Sequence, residues 1–321
     1  MPRSGAVDRE VGANLVSALI ASRESKQEGE HEVRPYKRGE VCLIIRRSMS
    51  TTTTARVSIG QTFARLREKR QIALMPFVPA GYPDLQTTGA VLPEIERAGA
   101  SIIEVGIPFS DPIADGPVIQ EAFAKALGKK IKLKAIFETI GAARSSVSIP
   151  LVAMVSYSIV YRHGLERFVS EAKEVGFDGL ILPDLPPPEA QAVAGKVQKG
   201  GLETILLVAP TTSPQRRKEI AELCSGFVYY LSVTGITGER DKLPEDLEAN
   251  VRQLKSVSGR PVCVGFGIAK SHHVKQLAGV ADGAIVGSAV VRRMKELENQ
   301  GAQAIAKGVG EYCRELLREV R

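Results

Sequence analysis

Residues 150–182 read "PLVAMVSYSIVYRHGLERFVSEAKEVGFDGLIL". An apolar run, "PLVAMV" (150–155), leads to a helical pattern, "GLERFVSEAKEVG", and then to a second short apolar run, "DGLIL" (178–182). In the helical stretch Leu165, Phe168, Val169 and Ala172 recur on one face, while the outer positions are charged. The flanking runs are apolar throughout rather than alternating, as strands buried on both faces are. A strand, a helix and a strand in that order make a parallel crossover unit.

The same unit repeats along the chain. Apolar runs stand at 72–78 (IALMPFV), 101–105 (SIIEV), 150–155, 178–182, 203–209 (ETILLVA), 226–232 (GFVYYLS), 261–266 (PVCVGF) and 282–287 (DGAIVG). Helical segments such as "PDLQTTGAVLPEIERAG", "SPQRRKEIAELCS" and "LPEDLEANVRQLKSV" separate them. Eight units in about 250 residues predict a closed (β/α)8 barrel of the α/β class, with an open doubly wound sheet as the alternative. Helical patterns at 61–70 and 301–317 predict one extra helix at each end. A barrel of this kind carries its chemistry at the C-terminal ends of the strands and in the loops that follow. The long loops, 106–117 and 233–245, follow the second and sixth runs and are rich in Gly, Pro, Ser, Thr and Asp.

The second run contains a residue that does not belong in a buried strand. Glu104 stands between Ile103 and Val105, where an ionised carboxylate is costly unless it is paired or its proton affinity changes. It predicts either a salt bridge inside the barrel or a general acid–base whose pKa is raised by an apolar pocket. Asp115, at the end of the following loop, is either a helix cap or a carboxylate that stays ionised and accepts a substrate N–H. Asp111-Pro112 between them reads as a turn. The later runs end in glycine: Gly265 and Gly267 in "GFGIA", and Gly287 followed by Ser288 in "VGSAVV". These glycines either make tight turns or let the backbone approach an anion at a helix start, and loops after the last two strands are a recurrent phosphate site in this fold. No lysine stands at a strand end where it could form a Schiff base, and "GFGIAK" lacks the GxGxxG spacing.

The bulk properties bound the function. The 321 residues are 44% hydrophobic and 25% charged, with a net charge of +7. Nine basic and seven acidic residues fall in 1–48, so the surplus is mild and spread out. With no basic run interleaved with aromatics, nucleic-acid binding finds no support. The four cysteines show no CxxC pair, and His272 and His273 are adjacent, so no metal or redox motif is expected. No apolar stretch approaches the roughly 18 residues of a membrane span. Residues 1–48 are polar and weakly patterned. They are expected to be disordered, or to extend from an upstream start, with the catalytic domain at 49–321; plastid targeting is the alternative, against which the seven acids count.

Taken in order, "MPFVPAGYPD", "IEVGIPFSDPIADGP", "GLILPDLPPPE", "VTGITGER", "VGFGIA" and "DGAIVGSAVV" resemble the alpha chain of tryptophan synthase, over about residues 60–317. That family has a (β/α)8 barrel and cleaves indole-3-glycerol phosphate into indole and glyceraldehyde 3-phosphate. The resemblance implies that Glu104 is the acid–base catalyst, and that Asp115 holds the indole N–H and stabilises positive charge on the ring. It matches Tyr229 to a tyrosine that orients the aspartate, and Thr237 to a threonine of a loop that closes on the site. Gly238, Gly267, Gly287 and Ser288 match phosphate-contacting backbone. Phe77, Met154 and Ile181 match apolar residues against the indole ring, and Phe266 joins the substrate-binding set. It further implies a cytoplasmic alpha2beta2 heterotetramer with a beta chain that carries pyridoxal phosphate, this chain itself holding no cofactor or metal. One departure is Ser158-Ile159, where the family usually shows Asn-Pro in a loop on the side facing the beta chain; it bears on partner affinity. The alternatives are a standalone indole-releasing lyase, a catalytically silent activator of the beta chain, and another phosphate-binding barrel such as a sugar-phosphate isomerase.

Overall fold

Each of the eight apolar runs forms a strand: β1 (Ala73–Pro79), β2 (Ile103–Gly106), β3 (Leu151–Met154), β4 (Gly179–Ile181), β5 (Glu203–Val208), β6 (Val228–Leu231), β7 (Val262–Gly265) and β8 (Gly283–Val286). The computed structural model describes residues 56–112, 115–232, 243–265 and 267–320. Thr237, Gly238, Phe266 and the 1–48 segment lie outside the described residues. All neighbouring strands are parallel, and β1 pairs with both β2 and β8, so the sheet closes into a barrel in sequence order. The open-sheet alternative is thereby excluded.

The helices are α1 (Ile59–Glu68), α2 (Leu85–Ala98), α3 (Pro117–Gly128), α4 (Leu133–Ala143), α5 (Tyr157–His163), α6 (Leu165–Glu174), α7 (Ala190–Lys199), α8 (Pro214–Leu223), α9 (Leu247–Val257), α10 (Ser271–Leu277), α11 (Ser288–Glu296) and α12 (Ala302–Leu316). The end helices predicted at 61–70 and 301–317 are α1 and α12. Two crossovers contain a pair of helices rather than one, α3 with α4 and α5 with α6. The second pair arises because Gly164, at φ 90°, ends α5 and begins α6.

Alternation along the strands separates two cores. Met75, Val152, Ile181, Ile205, Tyr229 and Ile285 pack inside the barrel, while Leu74, Val105, Leu180, Val208 and Val264 face the helices. Helix α1 seals the N-terminal end. Its start is fixed by a capping box, in which Gln61 N–H donates to Ser58 Oγ (3.1 Å) and Ser58 N–H to Gln61 Oε1 (2.9 Å). Ile59 and Phe63 then join the interior cluster, with Phe63 edge-on to Phe227 at 6.0 Å. With this end plugged, the opposite mouth is the open one.

The approaches to β3 and β4 share a buried ion pair. Arg144, 4% exposed, places Nη2 2.9 Å from Asp178 Oδ2 and donates through Nη1 to the carbonyls of Val147 and Ile149. Asp178 Oδ2 also accepts from Leu151 N–H at 2.9 Å. Removing one partner strands the other in a poorly solvated place, and so Arg144→Ala is expected to lower stability by about 3 kcal/mol. Urea unfolding measures this; an unchanged midpoint would show that the pair contributes nothing.

Candidate active site

Glu104 lies on β2, in register with Phe77 of β1 and Val152 of β3. Two residues beyond Ile102, which belongs to the interior cluster, it points into the barrel. It is 1% exposed, and among the described residues its Oε2 has no hydrogen-bond partner. No ion pair reaches it among the described residues, so an interior salt bridge does not account for it. Burial raises its pKa to about 8, and the nearby charge of Asp115 pushes in the same direction.

Asp115 comes from the loop between β2 and α3. Its N–H donates to Pro112 O at 3.0 Å, and Gln120 Nε2 donates to Asp115 O at 2.8 Å, which holds the loop end against α3. Helix α3 begins after Gly116 with Pro117 at its first position and with no side-chain cap. Asp115 is therefore not spent as a cap. Burial raises its pKa to about 6. The two carboxyls thus sit at one mouth with different proton affinities, the deeper one holding its proton to higher pH.

Tyr229 of β6 completes this group. Burial pushes its phenol well above the usual value, and the charges of Glu104 and Asp115 add to the push, which marks all three as neighbours. Its ring lies across β7 where Gly265 stands. A Cβ there would fall 2.6 Å from Tyr229 Cζ. Gly106 does the same for Phe77: a Cβ at Gly106 would fall 2.5 Å from Phe77 Cε2. The need for Gly106 is invisible in the sequence because the ring it accommodates comes from another strand.

The apolar wall follows from register. Gly106 pairs with Met154 and Met154 with Ile181, so these side chains line neighbouring positions of the mouth. A cleft of about 470 Å³ opens beside them, lined by Asp115, Phe109, Phe123, Met154, Val155 and Pro183, with Asp111, Ser156 and Asp184 at its polar side. Asp184 was not singled out in the sequence, although it lies in the quoted "GLILPDLPPPE". It accepts from Ser156 Oγ at 2.6 Å and from Tyr157 N–H at 2.7 Å, and so ties the end of β4 to the start of α5. Ser158 and Ile159 belong to the same arrangement. Ser158 Oγ lies 2.8 Å from Ser156 Oγ, and Ile159 N–H donates to Ser156 O at 3.0 Å, a bond that proline cannot make.

The opposite side of the mouth offers backbone. Gly267 follows β7 with φ 75°, a conformation that favours glycine. Gly287 precedes α11, which begins at Ser288 with no capping side chain and no acid in its first turn. A Cβ at Gly287 would point towards Ile119 and Phe77, into the mouth. An uncapped helix start beside a bare backbone suits an anion. Of the sequence-predicted residues, the structure thus groups Glu104, Asp115 and Tyr229 at one mouth with Phe77, Met154, Ile181, Gly267, Gly287 and Ser288 around it. Among the described residues, no group of three or more His, Cys, Asp or Glu side chains is placed to hold a metal ion.

Known proteins are similar to this chain in sequence and in shape. A model of the tryptophan synthase alpha chain family matches residues 63–320. The tryptophan synthase alpha chain of Geotalea daltonii is 42% identical over 242 residues, which is 75% of this chain and 92% of that one. That of Prochlorococcus marinus (strain NATL2A) is 41% identical over 260 residues, covering 81% and 95%. Among solved structures, the tryptophan synthase A-subunit of Pyrococcus furiosus superposes with a TM-score of 0.71 at 36% identity, covering 77% of this chain and 98% of that one. Tryptophan synthase of Mycobacterium tuberculosis gives a TM-score of 0.71 at 34% identity, covering 81% and 99%.

Proposed function

This chain belongs to the tryptophan synthase alpha chain family, and from that premise we propose that it is a lyase that cleaves indole-3-glycerol phosphate into indole and glyceraldehyde 3-phosphate. The observation that carries the proposal is the buried carboxyl pair, Glu104 and Asp115, at the open mouth of the barrel with separated proton affinities.

Protonated Glu104 gives its proton to C3 of the indole ring. Asp115, ionised, accepts the indole N–H and stabilises the positive charge that protonation places on the ring nitrogen. The Glu104 carboxylate then takes the proton of the C3′ hydroxyl. The C3–C3′ bond breaks as the carbonyl of the aldehyde product forms, and its electron pair returns to the ring. Glu104 ends with its proton restored, so one carboxyl serves as acid and then as base. Phe77, Met154 and Ile181 bind the ring, Tyr229 orients Asp115, and the phosphate lies at Gly267, Gly287 and Ser288. Thr237, Gly238 and Phe266 complete the substrate set in this proposal.

The indole passes to a beta chain, which carries pyridoxal phosphate and makes tryptophan. The enzyme works in the cytoplasm; among the described residues no helix is long and apolar enough to cross a membrane, which is compatible with that placement. The test is indole release from indole-3-glycerol phosphate by purified chain, with and without a beta chain. Slow release that rises sharply with the beta chain is expected. Fast release with no gain would indicate a standalone lyase, and no indole under either condition would defeat the proposal.

A further inference from the structure

We propose that His273 and Tyr312, which the reaction itself does not use, are positioning residues for the phosphate end of the site. They grip the backbone of one residue, Ala269, through both of its polar groups. The N–H of Ala269 donates to His273 Nδ1 at 3.2 Å, and the carbonyl of Ala269 accepts from Tyr312 Oη at 2.6 Å. Ala269 lies two residues past Gly267, in the turn between β7 and α10.

The two grips come from different parts of the fold. His273 sits in the first turn of α10, fully buried, with its N–H donating to Lys270 O at 3.0 Å. Tyr312 belongs to α12, which packs along α2 on the barrel's outside and also meets α10 and α11. The turn is thereby fastened both to the helix that follows it and to the C-terminal helix. Ile268, 3% exposed, adds an apolar anchor in the core that the helices cover.

The turn needs such fastening. Gly267 takes a left-handed φ that glycine adopts readily and also leaves readily. Backbone N–H groups serve an anion well only when their directions are set before it arrives. One bond holds the peptide that precedes Ala269 and the other the peptide that follows it, so the backbone directions on both sides of Ala269 are set. The chemistry of the grips also suits the task. An Nδ1 that accepts is the unprotonated nitrogen of a neutral imidazole whose proton is on Nε2. The phenol donates to the carbonyl without adding charge near a phosphate.

The inference rests on the phosphate lying at Gly267, and the experiment separates the two ideas. Tyr312→Phe removes a single oxygen. His273→Leu removes the acceptor, and His273→Asn restores one close to the Nδ1 position. Each variant is assayed with indole-3-glycerol phosphate and with indole-3-glycerol, which lacks the phosphate. Binding of inorganic phosphate is measured separately by calorimetry. For Tyr312→Phe we expect KM for the phosphorylated substrate and Kd for inorganic phosphate to rise together by about five-fold, the worth of one hydrogen bond. kcat should stay within about two-fold, and turnover of indole-3-glycerol should not change. His273→Leu should show the same pattern and His273→Asn should reverse most of it. Equal losses on both substrates, or unchanged phosphate binding by Tyr312→Phe, would overturn the positioning role. Should wild type fail to cleave the substrate, the functional proposal falls; phosphate binding that weakens in Tyr312→Phe still supports the clamp, and phosphate binding absent in wild type overturns it.

Discussion

Glu104→Gln is expected to lose cleavage by about 10³-fold or more while becoming harder to unfold. Glutamine fills the same space and cannot pass a proton. The stability gain follows from the burial of Glu104. In the folded protein this carboxyl holds its proton up to about pH 8, against an ordinary value of 4.5. Between those values the native state binds more protons than the unfolded chain, so stability falls as pH rises. The variant escapes this penalty. Its advantage should be small near pH 5 and approach an order of 4 kcal/mol above pH 8. Urea unfolding of both proteins at several pH values measures it. A stability difference that does not grow with pH would mean that Glu104 is ionised in the native state, and normal turnover would remove it from the reaction.

Asp115→Asn should lower kcat by about 10²-fold, because the amide cannot balance a positive charge on the ring nitrogen. The pH profile gives the sharper test. With Asp115 pushed up to about 6 and Glu104 to about 8, the pair predicts a bell in kcat/KM with limbs near those values. Activity needs the aspartate ionised and the glutamate protonated, so it falls below the first limb and above the second. In Asp115→Asn the acid limb should vanish. The alkaline limb should move to lower pH, because the negative charge that helped hold the proton on Glu104 is gone. An alkaline limb that stays in place would show that the two groups are not coupled, and a wild-type kcat would show that Asp115 does not stabilise the charge.

Two kinds of residue in this site differ in how they announce themselves. Glu104 interrupts an apolar strand, and such an interruption is visible within five residues of chain. Gly267 and Gly287 were visible for another reason, since two successive runs end in glycine and one of them leads straight into a helix start at Ser288. Gly106 carried no comparable signal. Its role depends on the Phe77 ring from the adjacent strand, as that of Gly265 depends on the Tyr229 ring. Asp184 was likewise hidden in a Pro-rich loop, because its partners Ser156 and Tyr157 belong to the preceding crossover.

The order of strands and helices and the presence of two acids at a strand end and in its loop follow from the sequence alone, because apolar periodicity and a misplaced carboxyl are local properties. Whether the sheet closes, and whether those acids serve as a cap or an ion pair, was decided only by the tertiary structure. Among the described residues Glu104 has no counter-ion and Asp115 caps no helix, and barrel closure brings residues from β2, β6 and the loop before α3 to one mouth. The proton affinities come from that enclosure, and so does the grip of His273 and Tyr312 on Ala269, which joins side chains 39 positions apart in the chain. Hydrogen bonds and desolvation act over a few ångströms in space, and distance along the sequence does not measure them.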